Sequence, residues 1–207
     1  MVLNVNHLTL HRNQQAVISD LTFAITDQQK FVLQGEIGSG KSTLLLALLG
    51  FVPLHSGEIN WFGKSCRQEA DFIPLRGNTV GICFQQADDQ LFGPTVLDDV
   101  AFGCLNQGKN KAESYQIALE QLEKLGITHL KDRSVNLLSG GEKNFTALAG
   151  VLAMQPKMLL LDEPTNGLDA KNKAKLTALL QALELPMLIA SHDLAFSEEL
   201  ADEVICL

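Results

Sequence analysis

A chain of 207 residues, 46% hydrophobic and 19% charged, suits one globular domain with a sizeable core. Its formal net charge of −8 argues against a broad nucleic-acid surface. The longest apolar runs, Thr43 to Pro53 and Met158 to Leu161, fall short of the roughly 20 residues a bilayer requires. The N-terminus lacks a basic segment followed by an apolar one, so a cytoplasmic protein is expected. Cys66, Cys83, Cys104 and Cys206 are far apart and have no metal-ligand spacing. They are expected to be reduced, small and mostly buried.

Alternating apolar residues predict strands over Val2–Thr9 and Val17–Ile25, joined by the polar turn Arg12-Asn13-Gln14-Gln15 as an antiparallel hairpin. Lys30–Gln34 reads as a short strand entering a glycine-rich loop. Thr43–Gly50 follows as a buried helix, stopped by Gly50 and Pro53. Gly57–Phe62 and Thr79–Phe84 are further strands, the second apolar enough for the centre of a sheet. A helix is expected to begin within Asp98–Phe102. Lys111–Leu125 is an amphipathic helix ending at Gly126, and Glu142–Met154 another helix. Met158–Leu161 and Pro186–Ala190 read as buried strands, with the helix Lys171–Leu183 between them. The pattern is α/β, a mainly parallel sheet flanked by helices with an N-terminal antiparallel portion. It is read as one domain over 1–207. The core occupies about 1–86 and 156–207, and a helical subdomain about 87–155.

Three stretches carry chemistry. Gly35-Glu36-Ile37-Gly38-Ser39-Gly40-Lys41-Ser42 stands after a strand and before a helix and matches the Walker A phosphate loop. Glycines at Gly35, Gly38 and Gly40 let backbone N–H groups, including that of Ser39, turn toward phosphate oxygens at a helix N-terminus. Lys41 supplies charge to the β and γ phosphates, the Ser42 hydroxyl is a magnesium ligand, and Thr43 reaches the α phosphate. Met158 to Leu161 deliver Asp162 and Glu163 to a strand end, as in Walker B. Asp162 is expected to hold magnesium, and Glu163 to be the base that orients attacking water. Between these two motifs lies Leu138-Ser139-Gly140-Gly141-Glu142.

In this order the motifs resemble those of ATP-binding-cassette (ABC) ATPases, over essentially the whole chain. The resemblance implies a P-loop core, the ligands ATP and Mg2+, and ATP hydrolysis coupled to transport. Gln85 then fits the Q-loop glutamine that reaches magnesium and water. His192 fits the switch histidine at the γ phosphate, and Asn166-Gly167-Leu168-Asp169 the D-loop, with Asp169 crossing a dimer interface. Leu138 to Glu142 matches the signature, which acts on ATP held by a partner cassette. A homo- or heterodimer packed head to tail is therefore implied, with Ser139, Gly140 and Gly141 facing the partner's γ phosphate.

The run Asp88-Asp89-Gln90-Leu91-Phe92-Gly93-Pro94-Thr95-Val96-Leu97-Asp98-Asp99-Val100-Ala101-Phe102-Gly103 resembles the ATPases of energy-coupling-factor importers, most of all cobalt and nickel systems. It implies an integral membrane subunit docking near Gln85 to Gly103, at the cytoplasmic face of the cell membrane. Leu91, Phe92 and Val96 would dock a helix, and Asp88, Asp89, Asp98 and Asp99 would meet its basic residues. A vitamin importer fits the same motifs. Soluble repair or translation ATPases fit less well, since the chain has neither a coiled-coil insertion nor a second cassette, and no nucleic-acid partner is expected. Purely regulatory behaviour is a third reading, suggested by Glu36 and Phe145. The departures from the family pattern are specific. Glu36 stands where relatives carry proline, so its carboxylate must point away from the nucleotide. His11 stands where an aromatic ring stacks on adenine. Asn144-Phe145 stands where relatives are basic and is expected to alter the dimer interface. A C-terminal dimerisation extension is expected to be absent.

Overall fold

The computed structural model describes residues 1–13 and 15–207; Gln14, in the expected first turn, lies outside the described residues. In chain order the elements are β1 Leu3–Arg12, β2 Gln15–Ile25, β3 Lys30–Gln34, α1 Lys41–Leu48, β4 Ser56–Trp61, β5 Lys64–Cys66, α2 Glu69–Phe72 and β6 Val80–Cys83. There follow α3 Val96–Asn106, α4 Lys111–Lys124, α5 Gly140–Ala153, β7 Met158–Asp162, α6 Ala170–Ala182, β8 Met187–Ala190, α7 Leu194–Leu200 and β9 Glu203–Cys206. The expected α/β architecture is observed. An antiparallel sheet runs β2-β1-β4-β5, and a parallel sheet runs β6-β7-β8-β3-β9.

The parallel sheet is buried on both faces, which is why its strands read as unbroken apolar runs. Phe31, Leu33, Leu160 and Leu188 point toward α1 and the antiparallel sheet. Val32, Leu159, Leu161 and Ile189 point toward the helices of the other layer. There α3, α4 and α5 pack on one another. Thr95 caps α3 by accepting from the Asp98 N–H, and Asn110 caps α4 by accepting from the Glu113 N–H. No helix among the described residues is long and apolar enough to cross a membrane.

The strand expected at the sheet centre over Thr79–Phe84 is instead the edge strand β6, beside β7. Its apolar character comes from the helix above it. At Gly81 an added Cβ would lie 2.4 Å from Val151 Cγ1 on α5, so only glycine admits that approach. Helix α1 starts at Lys41 and α5 at Gly140, each two residues before the sequence reading. β5, α2, α7 and β9 were not expected from the sequence. Cys66, Cys83 and Cys104 are buried and Cys206 is exposed. Burial pushes the Cys83 thiol up to about 12.

Candidate nucleotide site

The loop from Gly35 to Gly40 joins β3 to α1 with left-handed backbone at Gly38 (φ 89°) and Gly40 (φ 100°). A side chain there is strained. At Gly40 an added Cβ would also press on Val17 O at 3.3 Å, so the loop lies against β2. Lys41 is buried, and its Nζ donates to Gly35 O at 2.7 Å and Glu36 O at 3.0 Å. The Ser39 Oγ is buried without a hydrogen-bond partner. Glu36 is exposed and does not line the cleft, so its carboxylate does not enter the site.

β7 carries Asp162 and Glu163 to the same sheet edge, both buried. Asp162 Oδ1 has no hydrogen-bond partner among the described residues. Burial raises the Asp162 pKa above its ordinary value of 3.8; the Ser42 hydroxyl opposes the rise, neighbouring Glu163 adds to it, and Lys41 opposes it. Glu163 adopts left-handed backbone at φ 48°, unusual for a residue with a side chain. Its N–H donates to Ala190 O at 2.9 Å. Its Oε2 accepts the His192 backbone N–H at 3.2 Å and meets His192 Nδ1 at 2.7 Å, while Oε1 faces Lys41 Nζ at 3.8 Å.

A cleft of about 350 Å³ is lined by Arg12, Val17, Ile37, Gly38, Gly40, Lys41, Ser42, Thr43, Gln85, Glu163, Asn166 and His192. The fold thus brings Gln85 from the end of β6 and His192 from the end of β8 to the phosphate loop. Arg12, Val17, Ile37 and Asn166 are lining residues that the sequence reading gave no role in binding. Arg12, expected in the turn, is instead the last residue of β1 and faces the cleft.

His11 is not among these lining residues. Its ring stacks on His55 with centroids 3.8 Å apart and 16° between planes, so one imidazole face is already covered. Arg12, the next residue, faces the cleft instead. Asp169 caps α6, accepting from the Asn172 N–H at 2.8 Å, outside the cleft. Leu138, Ser139, Gly140, Gly141 and Glu142 also lie outside it. Ser139 is the N-cap of α5: its hydroxyl accepts from the Glu142 N–H, and Glu142 Oε2 accepts the Ser139 N–H at 2.7 Å. The Ser139 N–H above all, with the Ser139 hydroxyl and Arg133 at 3.2 Å, holds the Glu142 carboxyl below its usual range. Phe145 is not at a surface. It is buried against α6, with Lys175 Nζ 4.7 Å from its ring centroid, while the Asn144 amide donates to Asn166 O at 3.2 Å.

A second groove of about 510 Å³ lies beside β6, walled by residues that include Ile73, Phe92, Phe102, Gly103 and Met154. Phe92 and Phe102 are exposed and meet edge to face at 4.5 Å. Four residues expected to face a docking helix, Val96, Asp99, Asp98 and Asp88, are engaged within the chain. Val96 is wholly buried. Asp99 is buried and accepts the Phe92 and Gly93 N–H groups at 2.8 and 2.7 Å, and burial raises its pKa against those bonds. Asp98 accepts from the Thr95 hydroxyl and from Tyr115 Oη at 2.5 Å, which lower its pKa. Asp88 pairs with Lys143 at 2.5 Å, and Asp89 is exposed. Asp98 thus closes on the Thr95 cap and on Tyr115, and Asp99 on the loop that leads into α3, so both carboxylates are taken locally.

Comparison with known proteins agrees with this geometry. The ABC transporter family profile matches residues 18–166. An uncharacterized ABC transporter ATP-binding protein of Haemophilus influenzae is 67% identical over 206 residues, covering 100% of this chain and 94% of the relative. The cobalt import ATP-binding protein CbiO of Rhodobacter capsulatus is 40% identical over 190 residues, covering 90% of this chain and 68% of CbiO. A solved structure of cbiO1 from Clostridium perfringens, described as part of the ABC transporter complex cbiONQ, superposes with a TM-score of 0.89 at 33% identity, covering 99% of this chain and 84% of that one. Matched by that profile over residues 18–166 and by such a relative over its whole length, the chain belongs to the ABC transporter family, as an ATP-binding and ATP-hydrolysing subunit.

Proposed function

We propose that this subunit energises a membrane importer, with cobalt or nickel ions as its solute, from the cytoplasmic face of the cell membrane. The observation that carries the catalytic reading is the convergence of Lys41, Ser42, Gln85, Glu163 and His192 on one cleft. Lys41 would exchange its bonds to Gly35 O and Glu36 O for the β and γ phosphate oxygens of ATP. The unpartnered, buried Asp162 Oδ1 beside the Ser42 hydroxyl is a hard-oxygen set that fits magnesium. Ser42, Asp162 and Gln85 would hold the ion, which when bound neutralises charge on the phosphates. Glu163 would orient the attacking water and accept its proton. His192 fixes that carboxylate through Nδ1 and leaves Nε2 for the γ phosphate.

Ser139, Gly140 and Gly141 lie outside the cleft, which supports a head-to-tail pair in which each signature completes the partner's site. The groove with exposed Phe92 and Phe102 suits an apolar helix of a membrane subunit, and exposed Asp89 remains available to a basic residue on it. Similarity to a cobalt import relative supports the choice of solute. Two experiments test the reading. Glu163→Gln should retain ATP binding, accumulate a dimer in ATP and lose turnover by a factor of about 10² or more; unchanged turnover overturns the base assignment. Cells deleted for this chain should lose high-affinity cobalt or nickel uptake, and unchanged uptake of both ions overturns the solute.

A further inference from the structure

The C-terminal end of α1 is held from outside by three side chains, and one of them also walls the groove beside Phe92. Trp61 Nε1 donates to Leu48 O at 2.7 Å, and Arg76 Nε donates to Leu49 O at 2.8 Å. The Phe72 ring packs against the turn at Gly50, where an added Cβ would stand 2.4 Å from it. These donors satisfy carbonyls that a helix end leaves without intrahelical partners. Trp61 is buried and does not line the groove. Arg76 does both. Its terminal nitrogens grip Glu69 at 2.5 and 3.0 Å, its guanidinium lies 4.2 Å from the Phe51 ring centroid, and it lines the groove. Its backbone also bridges to Val80, where β6 begins its run toward Gln85.

The other end of α1 is the phosphate loop. The helix has 8 residues, and at 1.5 Å per residue it is about 12 Å long. Lys41, Leu44, Leu45, Ala47 and Leu48 are all buried in it. A close-packed element of that kind shifts as a body rather than bending. Phosphate at the loop must draw Lys41 Nζ from Gly35 O and Glu36 O, so any displacement begins at the first residue of α1.

We propose that Arg76 is a positioning residue that couples the groove to the phosphate loop through α1. The inference rests on the reading of Lys41 as the phosphate-binding lysine and needs no identified partner. Coupling of this kind is reciprocal: what an occupant of the groove does to the loop, nucleotide at the loop does to the groove wall. The link is therefore measurable in this chain alone.

Amide hydrogen exchange with and without MgADP reads both ends at once. In the wild type, MgADP should slow exchange in residues 41–48 and also in residues 73–78. Arg76→Ala should bind MgADP within about twofold of wild type, keep the protection of 41–48 and lose that of 73–78. Trp61→Phe removes the other side-chain donor to α1 without touching the groove, and should keep the response at 73–78 although it melts earlier. Arg76→Ala that retains the response at 73–78, or Trp61→Phe that loses it as fully, would overturn the proposal. Wild type with protection at 41–48 but none at 73–78 would do the same. No protection at 41–48 would overturn the cleft reading and the proposal with it.

Discussion

Replacing Asp162 with Asn should stabilise the chain in EDTA while destroying the magnesium dependence of nucleotide binding. Asp162 is 8% exposed, and its Oδ1 has no hydrogen-bond partner among the described residues. A buried polar group left without a partner costs about 1–3 kcal/mol, more when charged. Asn keeps the shape and drops the charge, so a gain of roughly 1–2 kcal/mol is expected at neutral pH, or about 2–8 °C in a chain of this size. The pH dependence has a definite sign. Burial lifts the folded carboxyl above its ordinary 3.8, so the folded chain holds that proton more tightly than the unfolded one. Stability is therefore lost as pH rises from 3.8 through the raised folded value, and the full penalty stands above it. The gap in Tm between Asp162→Asn and wild type should be widest at neutral pH and close toward about pH 4. In nucleotide, adding magnesium should raise the wild-type Tm, by about 2.7 kcal/mol of stability at a hundredfold excess over Kd, and leave the variant unmoved. Melting curves in EDTA and in Mg-nucleotide check both halves. A variant less stable than wild type in EDTA at neutral pH, or one that responds equally to magnesium, refutes the reasoning.

Two further substitutions probe the fold and the signature. Gly81→Ala puts a Cβ 2.4 Å from Val151 Cγ1 and 3.1 Å from Leu159 Cδ2, and should cost about 1–3 kcal/mol in denaturant unfolding; adding Val151→Ala should recover part of that loss, and strict additivity of the pair would show that the clash is elsewhere. Ser139→Ala removes the cap of α5 and should cost about 1 kcal/mol. Ser139→Asp keeps a capping oxygen, so its Tm should stay near wild type while ATP-driven dimerisation, followed by light scattering, is lost to repulsion from the partner's phosphates.

Where an element is shaped by its own residues, the sequence revealed it. Met158 to Leu161 are buried on both faces and so form a continuous apolar run, and the phosphate loop needs glycine where φ is positive at Gly38 and Gly40. Residues placed by distant parts of the chain gave no such signal. Strand β9 is mostly exposed and exists because it pairs with β3, which no local pattern encodes. His11 meets His55, 44 positions away, and that contact rather than any feature of the hairpin sets its ring. Two helix starts do carry a local signal. Thr95 followed by Asp98 is a capping pair that marks the start of α3, and Asp193 accepts from the Phe196 N–H as the cap of α7. As the partner of the Thr95 cap, Asp98 is taken out of the docking surface.

The strain at Glu163 shows how the site combines its opposing demands. Left-handed backbone in a residue with a side chain costs on the order of 1–3 kcal/mol, and glycine at φ 48° would avoid it. Glycine would also remove the carboxylate that His192 and Lys41 hold from two sides. The neighbouring acid has the opposite condition, with relaxed strand geometry in β7 but a carboxyl oxygen that nothing among the described residues satisfies. Lys41 joins the two halves, since it donates to the loop carbonyls and faces Glu163 at 3.8 Å. On the proposed reading of the cleft, each cost sits where a ligand has a matching group. Phosphate oxygens suit the lysine, a divalent cation suits Asp162, and water suits Glu163. The least favourable local choices in this cassette are thus the ones that binding can reward, which is the expected pattern where sequence serves chemistry before stability.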